Sequence, residues 1–361
     1  FWLSLAVAAI VIVFMRSIEP VLLWMRIDTK VCALAQGYLD ALSWGVVAAY
    51  AYHTLKQMTE GVGRTIPVMT VMAIALPTNV LLNYTFMFGA FGAPQLGAVG
   101  SGLGNGIAFW LMFLMLALYT RWSPHYRAFQ IWYQWELPDR NTLRRLIVLG
   151  APIGLSLFLQ SGLFTAAALM MGRLGTAAVA AHQIVLNYSG LVFMVPLGLG
   201  MALTVCVGQA VGRDDIAGAR RIGFTGMVLC GAIASISTIT TLMFAGEITA
   251  VYTQEAEVAA LCVSLFIVAA FLQLGDGIQV AAAFALRGLK DTRVPMLLNA
   301  FNYWGIGFTL IYILDRVVER GAVGIWLGLT ICLMTAGIFL IGRFRVVTRC
   351  LETAAGTAAT A

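Results

Sequence analysis

Apolar runs recur along the whole chain, each closed by a short polar segment in which arginines gather. A helix needs roughly 20 apolar residues to cross the hydrocarbon core of a bilayer. Ten stretches meet that need: 1–24, 31–55, 66–88, 98–119, 146–171, 177–195, 222–244, 258–286, 294–314 and 322–341. The pattern predicts an all-α polytopic membrane protein.

Composition strengthens this reading. Of 361 residues, 61% are hydrophobic and only 11% charged, and the mean hydropathy is +0.90. A soluble domain carries about a quarter charged residues, so the surplus apolar surface must be solvated by lipid. The formal charge of +6 could suggest a nucleic-acid partner, but its distribution does not. With the Lys56–Arg64 loop placed inside and the spans alternating from there, sixteen basic residues fall inside and six outside: Arg16, Arg26, Lys30, Arg173, Arg316 and Arg320. That asymmetry is the positive-inside rule, so the basic balance is topological. The cysteines form no C-x-x-C pair and read as small apolar residues.

The chain also repeats itself. Residues 63–69 read G-R-T-I-P-V-M and residues 290–296 read K-D-T-R-V-P-M, which sets Thr65 and Thr292 227 apart. Gly97-Ala98-Val99-Gly100 recurs as Gly321-Ala322-Val323-Gly324 at a spacing of 224, and Glu19 and Glu247 correspond at 228. Three matches in order imply a repeat of about six spans. Six is even, so both copies would cross the membrane in the same direction, as in transporters built of two parallel halves. The second copy has two spans, 146–171 and 177–195, with no counterpart before residue 1, so two further helices are expected upstream, twelve in all. The organisation expected is an N-terminal lobe over 1–119, a linker over 120–145, a C-terminal lobe over 146–345 and a cytoplasmic tail over 346–361. The linker, with Trp122, Trp132, Tyr133, Trp135, Arg140, Arg144 and Arg145, suits the headgroup layer. It reads equally as a flexible connector and as a plain interfacial anchor.

The stretch 180–223, with M-V-P-L-G-L-G-M-A, V-G-Q-A-V-G and A-R-R, resembles the multidrug and toxic compound extrusion (MATE) family, as does F-A-L-R-G-L-K-D-T-R-V-P-M at 284–296. The resemblance covers essentially the whole chain and is closest to the NorM-type branch. It implies two six-helix lobes around a central cleft, in a bacterial plasma (inner) membrane. It also implies export of cationic, lipophilic drugs in exchange for protons or Na+, with no cofactor beyond the coupling ion.

A carboxylate within a span is costly and points to function. Asp276 lies mid-span, and Gln273, Asp276 and Gln279 recur every three residues on one helix face. Such a stripe must face a cleft or another helix. In NorM-type relatives an Asp at this motif position takes part in cation coupling, which makes Asp276 the candidate coupling residue and a candidate Na+ ligand. The alternative is a hydrogen bond that pins helices. Gln160 stands where sodium-coupled relatives often carry Glu, so a second negative charge is lacking there, although an amide oxygen can still ligate. Ser156 with Gln160, and Gln183 with Asn187, share faces and could form a polar inner wall of the second lobe, the alternative for each being an interhelical hydrogen bond; Gln273, Gln279, Ser156, Gln183 and Asn187 are the candidates for the substrate cleft. Asp40 reads as solvated or structural, and His182 as a packed, hydrogen-bonded histidine rather than a proton relay. Gly97, Gly100, Gly102, Gly104 and Gly106 read as helix-packing positions.

Two other functions compete. A flippase for lipid-linked sugars would favour a cationic cavity, whereas the charge within the spans here is acidic. An intramembrane enzyme would need a constellation that the sequence does not offer at short spacing: there is no H-E-x-x-H and no paired carboxylates within one span.

Overall fold

The computed structural model describes residues 1–24, 28–129, 131–132 and 137–360, without the side chains of 127, 128 and 354–360. Arg26, Tyr133 and Trp135 therefore lie outside the described residues, as does the side chain of Arg127. Every regular element among those described is helical. The chain divides into two compact units, Phe1–Leu143 and Arg144–Ala361.

The first unit holds α1 (Trp2–Arg16), α2 (Glu19–Trp24), α3 (Thr29–Gly61), α4 (Ile66–Phe88) and α5 (Ala98–Trp122). The sequence predicts one span over 1–24, and the structure corrects this. The run breaks at Ser17-Ile18 into a helix of 15 residues and another of 6, with Glu19-Pro20 opening the second. Proline is tolerated in a first helical turn but cannot continue a helix through its ring. Nine helices among the described residues are long and apolar enough to cross a membrane, and α1 is a shorter apolar helix beside them.

Within this unit α5 packs against both α3 and α4. Alternate glycines permit it. A Cβ on Gly100 would stand 2.2 Å from the Phe86 carbonyl oxygen, and one on Gly102 would stand 2.5 Å from that of Tyr38. Gly104 meets Asn83 of α4 and Gly106 meets Trp44 of α3, so positions 100 and 104 face one neighbour and 102 and 106 the other. An amide ladder crosses the α4/α5 contact, with Asn83 donating to Asn79 at 3.0 Å and Asn79 to Asn105 at 2.8 Å. Beside the end of α5, Tyr126 is buried edge-on to Tyr119 and the Trp132 indole donates to Thr120 at 3.3 Å.

The second unit holds α6 (Arg140–Gly172), α7 (Thr176–Gly212), α8 (Ile216–Met243), α9 (Ala245–Tyr252), α10 (Ala256–Gly288), α11 (Arg293–Ala300), α12 (Phe308–Arg316) and α13 (Gly321–Thr360). A π-helical segment, Phe301–Gly307, joins α11 to α12. Helix α7 runs well past residue 195, because Pro196 sits inside it without ending it. Helix α13 continues through residues that the sequence reads as a tail, where Glu352 pairs with Arg220 at 2.7 Å. The turn before α8 is capped by Asp215, which accepts from the Gly218 amide at 2.7 Å.

Helix α10 is central here, packed against α7, α8 and α13. The core of this unit falls into two apolar clusters along it. One gathers Cys262, Leu265, Phe266 and Leu272 of α10 with Met171, Val185, Trp326 and Leu333; the other gathers Ala281, Ala282, Ala285 and Leu286 with Leu203, Val207, Leu340 and Phe344. Between them on α10 lies the stretch that carries Gln273, Asp276 and Gln279.

Candidate functional site

The site is built outward from α10. Its end charges match the helix dipole, with Glu257 in the first turn and Arg287 in the last. On either side of Asp276 a glycine admits a neighbouring helix. A Cβ on Gly275 would stand 3.0 Å from the Met334 backbone nitrogen of α13, and one on Gly277 would stand 3.0 Å from the Ala234 Cβ of α8. With those two directions closed by α13 and α8, the Asp276 side chain is directed at α7.

There it lines a cavity of about 20 Å³ with Ser189, Val192, Phe193 and Pro196 of α7, Ala234 of α8, and Leu272 and Gln273. That space holds about one water molecule. Three of its polar atoms are buried with no hydrogen-bond partner among the described residues: Asp276 Oδ1, Gln273 Nε2 and Ser189 Oγ. Pro196 of α7 lines the same cavity. It has no N–H to give to the carbonyl four residues before it, and that residue, Val192, also lines the cavity. Buried polar groups are normally paired, so this cluster of unspent donors and acceptors marks a place built for something small and polar.

The candidate residues divide. Asp276 and Gln273 lie together in the cavity wall, and the Gln273 amide oxygen also accepts from Thr241 at 3.5 Å. Gln279 turns away, its amide donating at 2.8 Å to the buried Tyr303 hydroxyl of the π-helical segment. On α6, Gln160 is half-buried on the packed face that runs from Ser156 through Leu163 to Ala167, while the Ser156 hydroxyl is spent on the Pro152 carbonyl at 2.9 Å. Gln183 and Asn187 are exposed, on the side of α7 opposite the buried His182, Val185 and Ser189, and Asn187 accepts from the Tyr252 hydroxyl at 3.0 Å. None of Ser156, Gln160, Gln183 and Asn187 lines the Asp276 cavity.

His182 is fully buried, edge-on to Trp326, whose indole N–H donates to its Nδ1 at 3.2 Å, which is the packed histidine that the sequence predicts. Asp40 is exposed and accepts from Gln36 at 2.8 Å, and Gln36 in turn donates to the Met15 and Arg16 carbonyls at the end of α1. Of the two residues, it is Gln36 that bonds to α1. Sequence reasoning passed over Ser189 and Pro196. The spacing of Ser189 seven residues from His182 puts both on one face of α7 and could have found it. Among the described residues no three His, Cys, Asp or Glu side chains gather as a metal site, so Asp276 stands alone as a carboxylate in this cavity.

A family model described as MatE matches residues 1–85 and 152–313. The chain belongs to the MatE family. It is 38% identical over 323 residues to the multidrug resistance protein NorM of Aliivibrio fischeri, a match covering 88% of this chain and 70% of that protein. It is 39% identical over 326 residues to the multidrug resistance protein PmpM of Pseudomonas aeruginosa, covering 89% and 68%. A solved outward-facing multidrug resistance MATE family transporter superposes with a TM-score of 0.87 at 18% identity, over 97% of this chain and 78% of that one. The same fold appears in a variant of the Vibrio cholerae MATE transporter VcmN, with a TM-score of 0.87, 19% identity and coverage of 96% and 77%. This MatE protein is thus an all-α integral membrane protein of the two-lobe MATE fold, a transporter and not an enzyme. The relatives named are bacterial, and its place is the bacterial inner membrane.

Proposed function

We propose that Asp276 is the residue through which this MatE protein couples the export of cationic, lipophilic compounds to the inward movement of a proton. The chain is a secondary active multidrug efflux transporter, and exchange of that kind needs one negative charge that two positive species compete to neutralise. The observation that carries the reading is the unpartnered, buried carboxylate oxygen of Asp276 beside a cavity the size of one water. An ionised carboxylate at that depth is costly unless neutralised. A proton binding Asp276 therefore opposes a cation held by the same charge, and by linkage each weakens the other by an equal factor.

The cavity also limits what occupies it. Drug-sized ligands fill pockets of about 300–1,000 Å³, far more than the 20 Å³ found here. Asp276 is then an ion site in this conformation, and the drug reaches the same charge only after the cavity rearranges. The donors favour a proton over Na+. One carboxylate with a neutral amide and a hydroxyl supplies a single charge, and Gln160 adds none.

The test is Asp276→Asn in the intact protein in proteoliposomes, with export of a lipophilic cationic dye followed under an imposed pH gradient and no sodium. Wild type is expected to export dye and to release protons when dye is added. The variant is expected to lose both while retaining its thermal stability. Dye export at the wild-type rate with the same ion dependence would show that coupling lies elsewhere. Gln160→Glu should add a response to Na+ if a second charge is all that sodium coupling lacks.

A further inference from the structure

The two units end their 33-residue helices, α3 and α10, with the same turn, one hydrogen bond after another. In the first, Val62 N–H donates to Met58 O at 3.0 Å, Gly63 to Glu60 at 2.8 Å and Arg64 to Thr59 at 3.1 Å. In the second, Leu289 donates to Ala285 at 3.2 Å, Lys290 to Arg287 at 2.9 Å and Asp291 to Leu286 at 3.0 Å. Each acceptor, donor and left-handed residue (Gly63, φ 83°; Lys290, φ 61°) corresponds at the spacing of 227.

What differs is the charge that follows. Asp291 is met by Arg343 of α13 at 2.7 Å, and the side chains are only 14% and 31% exposed, so this corner of the second unit is neutralised from within. In the first unit the same positions hold Arg64 and, at the spacing of 224, Tyr119. No carboxylate among the described residues lies within ion-pair distance of Arg64; the neighbouring Glu60 is held by Lys56 at 3.9 Å. Where the second unit has an ion pair, the first has a cavity of about 770 Å³. Its polar rim includes Arg64, Thr65 and Tyr119, and its wall includes Ile66, Val71 and Met115. The positive-inside rule places this turn at the cytoplasmic leaflet, where anionic phospholipids supply negative headgroups.

We propose that this cavity binds an anionic phospholipid of the cytoplasmic leaflet, its phosphate on Arg64 and Thr65 and its acyl chain along Ile66, Val71 and Met115. The lipid supplies to the first unit the negative charge that Asp291 supplies to the second. The apolar wall selects a lipid over a free anion, and the lone arginine selects an anionic headgroup over a zwitterionic one. The site is independent of Asp276.

The test is native mass spectrometry of the intact protein released from nanodiscs of mixed phosphatidylglycerol and phosphatidylcholine. Wild type is expected to retain phosphatidylglycerol preferentially. Arg64→Gln should lower that retention about fivefold, one basic residue's contribution at a membrane surface, and leave phosphatidylcholine unchanged. Arg64→Asp with Tyr119→Arg transplants the second unit's ion pair and should abolish the preference without lowering thermal stability. Equal phosphatidylglycerol retention by wild type and Arg64→Gln would overturn the proposal. So would a parallel loss of both lipids, which would mean that the groove reads no charge, or displacement of the lipid by excess inorganic phosphate, which would mean that it reads a free anion.

Discussion

Helices α3 and α10 occupy the same place in the repeat, have the same length and end in the same turn, yet only one carries a site. At the positions matching Gln273, Asp276 and Gln279, α3 has Val46, Ala49 and Tyr52. Val46 and Tyr52 are buried, and Tyr52 joins Leu55, Val68, Val71 and Leu116 in the one apolar cluster of the first unit described. In the second unit two clusters stand apart along α10 with the polar stripe between them. A repeated backbone fixes where helices cross, and the side chains at a few crossings decide whether a level is glued or left open. The following helices make the same point. Pro77 inside α4 corresponds at 227 to Trp304 inside the π-helical segment. Both devices break the regular ladder at mid-helix, but the π form also turns Tyr303 towards Gln279 and Asn302 towards α13, where it donates to the Cys332 carbonyl at 2.7 Å.

The comparison can be broken by moving the carboxylate. Ala49→Asp in the Asp276→Asn background restores the charge at the matching level of the wrong unit. It is expected to leave dye-coupled proton movement at zero, because Val46 brings no amide to that level and the buried, unpartnered Tyr52 hydroxyl is the one polar side chain at those two positions to receive it. It should also cost about 3 kcal/mol, the order of an unsupported acid at mid-helix in a bilayer. Restored coupling would show that the repeat, and not the neighbours of Asp276, makes the site.

A smaller effect sharpens how each unit is held together. Gly100→Val drives a Cβ into the Phe86 carbonyl and is expected to destabilise the protein by about 1–3 kcal/mol. Gly154→Ala on α6, where nothing lies within 4 Å of the added carbon, should be neutral or slightly stabilising. Thermal denaturation of the purified protein in one detergent reads both, and equal melting temperatures would mean that α5 is free to shift.

The smallest effect concerns how the two long helices begin. Asp28 caps α3, accepting from the Lys30 amide at 2.7 Å, whereas Glu255 before α10 makes no side-chain cap. Asp28→Ala should cost about 1 kcal/mol, seen as faster hydrogen exchange in the first turn of α3. Glu255→Ala should leave the first turn of α10 unchanged.

The sequence by itself determined the membrane class, nearly all the spans, the repeat and the carboxylate on which the site turns. Each of these rests on a one-dimensional signal: apolar length, charge asymmetry, motif spacing and the rarity of an acid within a span. Only the tertiary structure decided which polar residues meet. Gln183 and Asn187 share a helix face, as the sequence predicts, but that face points away from Asp276, while Ser189 and Val192 line its cavity. Periodicity groups residues on a face and is blind to how the helix is rotated about its axis. That rotation is set by where backbones can approach, here at Gly275 and Gly277 against α13 and α8. The break at Ser17 escaped for a related reason, since hydropathy averages over a window in which one serine and one proline hardly register. The exchange of Asp291 and Arg343 for Arg64 and Tyr119 is written in the chain, but it acquires meaning only where folding brings the end of one helix beside the turn of another.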